Sequence, residues 1–190
     1  MNGLSVGFAL CGSFCTFAKA IAALQGLADS GAVLTPILSE AAYSTDTRFG
    51  TAAEHRRRIE EICGRPILHT RTDAEPIGPR GLLDLLIVAP CTGNTLAKLA
   101  NGISDTAVTL AVKAHLRNAR PVLLAVSTND ALGTSAQNIG RLLTMKHVYF
   151  VPMGQDDPLH KPNSIVADFT KIGAAAKAAL AETQLQPILV

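Results

Sequence analysis

Six consecutive residues, Pro90, Cys91, Thr92, Gly93, Asn94 and Thr95, follow the most apolar run of the chain, and almost none of their side chains suits a hydrophobic interior. Hydroxyls, a carboxamide and a glycine at such a point supply donors, acceptors and a backbone that a ligand can approach closely. Similar clusters recur after other apolar runs: Gly12, Ser13 and Thr16; Ser39 and Glu40, with the segment "STDTRFG" close behind; and Ser127, Thr128, Asn129 and Asp130. A last polar segment, Gly154 to Ser164, carries two acids, His160 and Lys161.

A helix start presents free backbone N–H groups and a partial positive charge, so Gly12 and Ser13 ahead of a helix suit a phosphate, with Thr16 and Ser39 adding hydroxyls. Arg48 is suited to a substrate carboxylate. Each has a bland alternative: Ser39 caps a turn, Arg48 is solvated, and Gly154 to Ser164 is a rigid surface loop rather than a lid or a subunit contact. Gly7 and Gly12 have the separation of a Walker loop's glycines, but Ser13 stands where the lysine belongs, and G-x-G-x-x-G is absent.

The elements that must position these clusters alternate. Leu4 to Leu10 reads as a strand, and the following segment has Phe17, Ile21, Leu24 and Ala28 at helical spacing. Ala32 to Ser39 reads as a second strand, with Pro36 favouring an edge or bulge. Thr51 and Glu54 have capping-box spacing for a helix that ends before Gly64. "RPILH" (65–69) is a weak third strand, and Leu82 to Pro90 a central one, ended by Pro90. Arg120 to Ser127 and His147 to Pro152 repeat the strand pattern, separated by helices around Asp105 to Leu116 and Thr134 to Met145. A final helix is expected from about Ser164 to Glu182. The reading is a three-layer α/β fold, Rossmann-like or flavodoxin-like, with a mostly parallel sheet of about six strands. In such sheets ligands bind beyond the carboxyl ends of the strands, where all the polar clusters fall.

The 190 residues, 48% hydrophobic, suffice for one domain over 1–190 with a tail at about 184–190. A formal charge of +2 without a long basic block gives no nucleic-acid footprint. No apolar run approaches the roughly 18 residues of a membrane helix, and the apolar start lacks a basic leader, so a cytoplasmic protein is expected. Cys11, Cys15 and Cys63 read as reduced, mostly buried thiols. No metal-ligand spacing is present.

"APCTGNTLAKLANGISD" resembles the P-x-S-A-N-T-x-x-K-x-A-x-G-I-x-D signature of the homo-oligomeric flavin-containing cysteine decarboxylase superfamily, matching at Pro90, Asn94, Thr95, Lys98, Ala100, Gly102, Ile103 and Asp105. "CGSFCTFAK" is similar to the family's Gly-Ser phosphate loop with a helical lysine, here Lys19. The resemblance implies FMN, with Gly12, Ser13 and Ser39 near phosphate and ribitol, Pro90 to Thr95 along the flavin, and a trimer or multiple of trimers. Two departures disfavour decarboxylation: the family's histidine falls on Pro76, and its P-A-M-N element is replaced by Ser127 to Asp130. "STDTRFG", "AEPIGP", "VSTNDALG", "GQDDP" and "KPNS" are similar to a branch tied to bacterial endospore formation. That likeness implies an oxidoreductase subunit acting on a cyclic dicarboxylate with a nicotinamide-binding (NADP or NAD) A subunit. Arg48, Lys161, Asn94 and Asn129 are then the candidate carboxylate partners, Asn94 and Asn129 the candidate catalytic residues, and Glu75, Asp130 and His160 the candidate proton carriers. A decarboxylase, a flavin prenyltransferase and a non-catalytic stabilising subunit are the alternatives.

Overall fold

In the computed structural model, which describes residues 1–190, strand and helix alternate from the first element. β1 (Ser5–Leu10) leads through a short 3-10 turn into α1 (Phe17–Asp29), whose Phe17, Ile21, Leu24 and Leu27 face the core. β2 (Val33–Leu38) follows, and Ser39 caps a short helix, α2 (Glu40–Ser44), where the sequence suggested only loop. α3 (Ala52–Cys63) carries the expected Thr51–Glu54 capping box and ends at Gly64, in the left-handed conformation at φ 65°. α4 (Arg71–Ala74) and a 3-10 turn precede β3 (Leu85–Cys91), α5 (Gly93–Ala100) and α6 (Ala107–Arg117). β4 (Val122–Thr128), α7 (Ala136–Leu143), β5 (Val148–Phe150), β6 (Met153–Gly154), β7 (Ile165–Ala167) and α8 (Ile172–Leu180) complete the chain.

The seven-stranded sheet runs β2-β1-β3-β4-β7-β6, with β1 to β5 parallel. β4 is shared along its length: Val122 to Leu124 pair with β5, whereas Ser127 and Thr128 pair antiparallel with β7. β6 lies antiparallel to β7, and the C-terminal tail extends this edge. Met153 donates its N–H to the Ile188 carbonyl (2.9 Å) and accepts from the Val190 N–H (3.1 Å). A single hydrophobic core gathers all the major elements on both faces of the sheet.

Three further expectations are corrected. "RPILH" forms one bridge, Leu68 with Ile37, rather than a strand: Pro66 has no N–H to give, and the Thr70–Asp73 capping box turns the chain into α4. The final helix begins at Ile172, because Ile165 to Ala167 first pair with β4 and β6. Pro90 does not end its strand. β3 continues to Cys91 past a register shift between Val88 and Cys91, and all seven of its residues are buried.

Candidate functional site

The carboxyl ends of β1, β3 and β4 open into one cavity of about 660 Å³. That volume lies within the roughly 300–1,000 Å³ of small-molecule sites. From β1 come Gly12 and Ser13; from the start of α5, Thr92, Gly93 and Asn94; from β4 and its turn, Ser127, Thr128, Asn129 and Asp130; and from two loops, Arg48 and Lys161. Residues separated by more than a hundred positions in sequence thus converge.

The wall is held by hydroxyl bonds. Ser13 Oγ and Ser127 Oγ lie 2.8 Å apart, and Ser127 Oγ is 3.3 Å from Thr16 Oγ1, which donates to the Ser13 carbonyl at 2.8 Å. Thr16 is therefore a buried brace behind the wall rather than part of its surface. Thr92 caps α5, its hydroxyl accepting from Thr95 N–H at 3.3 Å. Asn94 is thus released from capping: its side chain makes no hydrogen bond within the protein and stands exposed on the wall. The N–H groups of Gly93 and Asn94, at the first positions of α5, have no intrahelical acceptor and suit an anion or a carbonyl.

Gly93 stands where the superfamily signature has alanine. A β-carbon there would lie 2.7 Å from Thr128 Oγ1, 2.8 Å from Asp130 Oδ1 and 2.9 Å from Ser135 Oγ, so α5 can pack against the end of β4 only through a glycine. Asp130 is the centre of that knot. It accepts from Thr128 Oγ1 at 2.5 Å and from Ser135 Oγ at 3.0 Å, while its carbonyl accepts the Gly133 and Ser135 N–H groups.

The charged groups differ in their commitments. Arg48 stacks over the Phe49 ring, 4.9 Å from its centroid, and forms no ion pair with a carboxylate. Lys161 Nζ is 3.4 Å from Asp156 Oδ2. The Ser164 hydroxyl, and beyond it the Lys161 charge, hold the Asp156 carboxyl below its usual range.

Other expected residues lie outside the lining. The Ser39 hydroxyl accepts from Ala42 N–H at 3.3 Å, the capping alternative. Pro90 is buried, its carbonyl accepting from Cys11 N–H at 3.2 Å, and Thr95 is buried with its hydroxyl donated to Cys11 Sγ at 3.2 Å. Burial pushes the Cys11 thiol up to about 11 and Cys91 well above the ordinary value, so neither supplies a thiolate at neutral pH. Glu75 is exposed in the turn after α4, and His160 is exposed and bonded through Nδ1 to Asp157 at 2.9 Å. Lys98 pairs with Asp105 at 2.9 Å, and Lys19 lies on a groove between α1 and α8.

The cavity also holds Phe14, Cys15, Phe49, Asp156, Ser164 and Val166. Cys15 is exposed, a correction to the expectation of a mostly buried thiol, because the 3-10 turn before α1 points it outward. The chemistry of Gly154 to Ser164 suggests a lid or a subunit contact without pointing to Asp156 or Ser164, and only the β6–β7 pairing shows that this loop reaches the wall.

No helix is long and apolar enough to cross a membrane, and no group of three potential metal ligands is present. The Flavoprotein family model matches residues 1–182. A curated relative, the B subunit of dipicolinate synthase of Bacillus subtilis (strain 168), is 44% identical over 190 residues, 100% of this chain and 95% of that protein. The crystal structure of the dipicolinate synthase B subunit from Bacillus halodurans C superposes with a TM-score of 0.92 at 43% identity, covering 100% of this chain and 98% of that one. A dodecameric FMN-dependent UbiX-like decarboxylase from Escherichia coli O157:H7 shares the fold at a TM-score of 0.65 and 21% identity, over 78% of this chain and 80% of that one. The chain belongs to the Flavoprotein family and, within it, to the group formed by the B subunits of dipicolinate synthase.

Proposed function

We propose that this chain is the B subunit of a dipicolinate synthase, binding FMN in the cavity at the ends of β1, β3 and β4. With a nicotinamide-binding A subunit, it would oxidise dihydrodipicolinate, or its hydroxylated tetrahydro precursor, to dipicolinic acid during endospore formation. One observation carries the reading: the Gly12–Ser13 loop, the start of α5 and the polar end of β4 meet on a single cavity with Arg48, in a chain similar from end to end to subunits of that name.

The residues present fit FMN. Gly12 approaches without a side chain, and the Ser13 hydroxyl and the first N–H groups of α5 are placed for phosphate or carbonyl oxygens. Thr92 and Asn94 offer further polar contacts. When bound, the flavin supplies a hydride acceptor. The chain's own residues orient and exclude. Arg48 meets a substrate carboxylate, Lys161 is steadied by Asp156, and Phe14 and Phe49 shield one side. Of the proposed proton carriers, Asp130 alone stands on the wall. The aromatic content is low, with no Trp and two Tyr, so a neighbouring subunit covers the rest of the ring in a homo-oligomer.

Fluorescence titration is expected to show binding of FMN in preference to FAD or NAD. Dipicolinate formation from the dihydro precursor, measured with A alone, B alone and both, is expected only with both subunits. Tight NAD binding without any FMN effect would overturn the reading. The decarboxylase alternative has the shared fold behind it but is disfavoured at the site, since Pro76 stands where the resemblance places those enzymes' histidine.

A further inference from the structure

A second, apolar cleft of about 200 Å³ opens between α6 and α7. Val112 and Leu116 of α6 and Leu142 of α7 line it, with Ile103 and Met145, both exposed, at its rim. A cavity of roughly 150 Å³ with such a lining holds a benzene-sized group, so this one takes a single leucine-sized side chain. Its surroundings are basic. From Thr106 to Asn129 and from Ala131 to Gln155 the chain has no Asp or Glu, against Lys113, Arg117, Arg120, Arg141 and Lys146. Arg120 meets the Asp84 carboxylate, but Lys113, on the cleft, has its Nζ 3.4 Å from the Ser104 hydroxyl and pairs with no carboxylate.

The chain also carries an apolar knob beside acids. Leu159 is 88% exposed, the most exposed of its large hydrophobic side chains. Asp157 fixes the turn that displays it, the carboxylate accepting from His160 N–H at 3.2 Å and the carbonyl from Lys161 N–H at 2.8 Å. Asp156 pairs with Lys161, whereas Asp157 meets only the His160 ring. Leu159 does not enter the cleft of its own chain. Its loop is carried by β7 at Ser127 and Thr128, and the cleft reaches Val122, roughly 16 Å down the same strand.

We infer that the cleft between α6 and α7 receives Leu159 of a second copy of this chain, with Lys113 set against Asp157. A knob near one end of β4 and a socket near the other make a heterologous, head-to-tail contact, the kind that builds rings. Asp156, Lys161 and Ser164 of the same loop line the ligand cavity, so each socket also steadies a wall of its neighbour's cavity. The inference deepens the homo-oligomer of the proposed function and rests on that part of it, not on the flavin.

Leu159, Ile103 and Met145 are exposed, so each can be altered without opening the core. The measurement is the mass of the full chain by light scattering over a range of concentrations, without FMN or substrate. The wild type is expected to associate as concentration rises. Leu159→Asp and Ile103→Asp are each expected to lower the mass, by weakening the contact about tenfold or more, and Leu159→Met to keep it. A head-to-tail contact makes a further demand. Leu159→Asp retains its socket and Ile103→Asp its knob, so an equimolar mixture of the two should form species heavier than either alone. Met145→Asp replaces Ile103→Asp should the latter fail to fold. Wild-type mass in Leu159→Asp or in the socket variant overturns the assignment, and a Leu159→Asp chain of that mass that no longer binds the A subunit would give Leu159 to that partner instead. A mixture no heavier than its components overturns it as well. A wild type that is monomeric at every concentration removes both this contact and the homo-oligomer, whereas FMN binding, followed separately by fluorescence, stands or falls independently.

Discussion

Asn94 and Cys15 test the cavity at single side chains. Because Thr92 is the cap of α5, Asn94 is free of structural duty, and its carboxamide can be altered without disturbing the helix. Asn94→Ala should shift stability by no more than about 0.5 kcal/mol. Asn94→Asp should be neutral or slightly stabilising, since a negative charge in the first turn complements the helix dipole. Both should lose FMN affinity, the aspartate more, by roughly tenfold or greater, as repulsion is added to a lost donor. Paired thermal melts and FMN titrations check this, and an aspartate variant with wild-type affinity would remove Asn94 from the site. Cys15 is the exposed thiol, whereas burial holds Cys11 and Cys63 at about 11 and about 12. Brief alkylation of the native chain should therefore give one adduct by mass spectrometry, on Cys15, and FMN should slow it because Cys15 lies on the same wall. Equal rates with and without FMN would place the flavin elsewhere.

Among the elements, the parallel strands and most helices were legible because their signals are local: a continuous apolar run, a capping box, a glycine stop. β7 was not, since Ile165 to Ala167 abut an alanine-rich helix and only pairing with β4 and β6 separates them from it. The site was legible as a set of strand ends, but not as a bonded object. Nothing in "VSTNDALG" reveals that Asp130 meets Gly93 across a sequence gap. The junction of α5 with β4 is expected to be intolerant. Gly93→Ala should cost about 1–3 kcal/mol through overpacking and weaken FMN binding; a fully stable variant with normal affinity would mean that the knot yields easily. In α6, His115 is buried with Nε2 donating to the Pro121 carbonyl at 3.0 Å, and burial lowers its pKa from 6.5 to about 4. A base with a depressed folded pKa takes up its proton more readily when unfolded. Its contribution is fully present above about 6.5 and is lost as pH falls toward 4, on the order of 3 kcal/mol in all. Urea midpoints across that window should fall less steeply in His115→Gln, and parallel slopes would refute the assignment.

At the scale of the whole molecule, the tail seals a sheet edge. The Val190 carbonyl would collide with any β-carbon at Gly154, and Met153 bonds to Ile188 and Val190 through its own backbone. Removing Gln186 to Val190 should cost about 1–3 kcal/mol through two lost backbone bonds and leave the edge open to association. Light scattering and melting curves are the checks, and an unchanged melt with unchanged mass would show the tail to be dispensable. The division of β4 between a parallel and an antiparallel neighbour has a different kind of consequence. Since β6 and β7 join the parallel strands only at the upper end of β4, the segment from Gln155 to Asn163 that they carry is an addition to a parallel sheet complete without it. Leu159 apart, its length and chemistry are free to drift while the cavity floor at the ends of β1, β3 and β4 stays fixed, so that an altered appetite for ligands requires exchanging one hairpin insert rather than rebuilding the web of contacts beneath it.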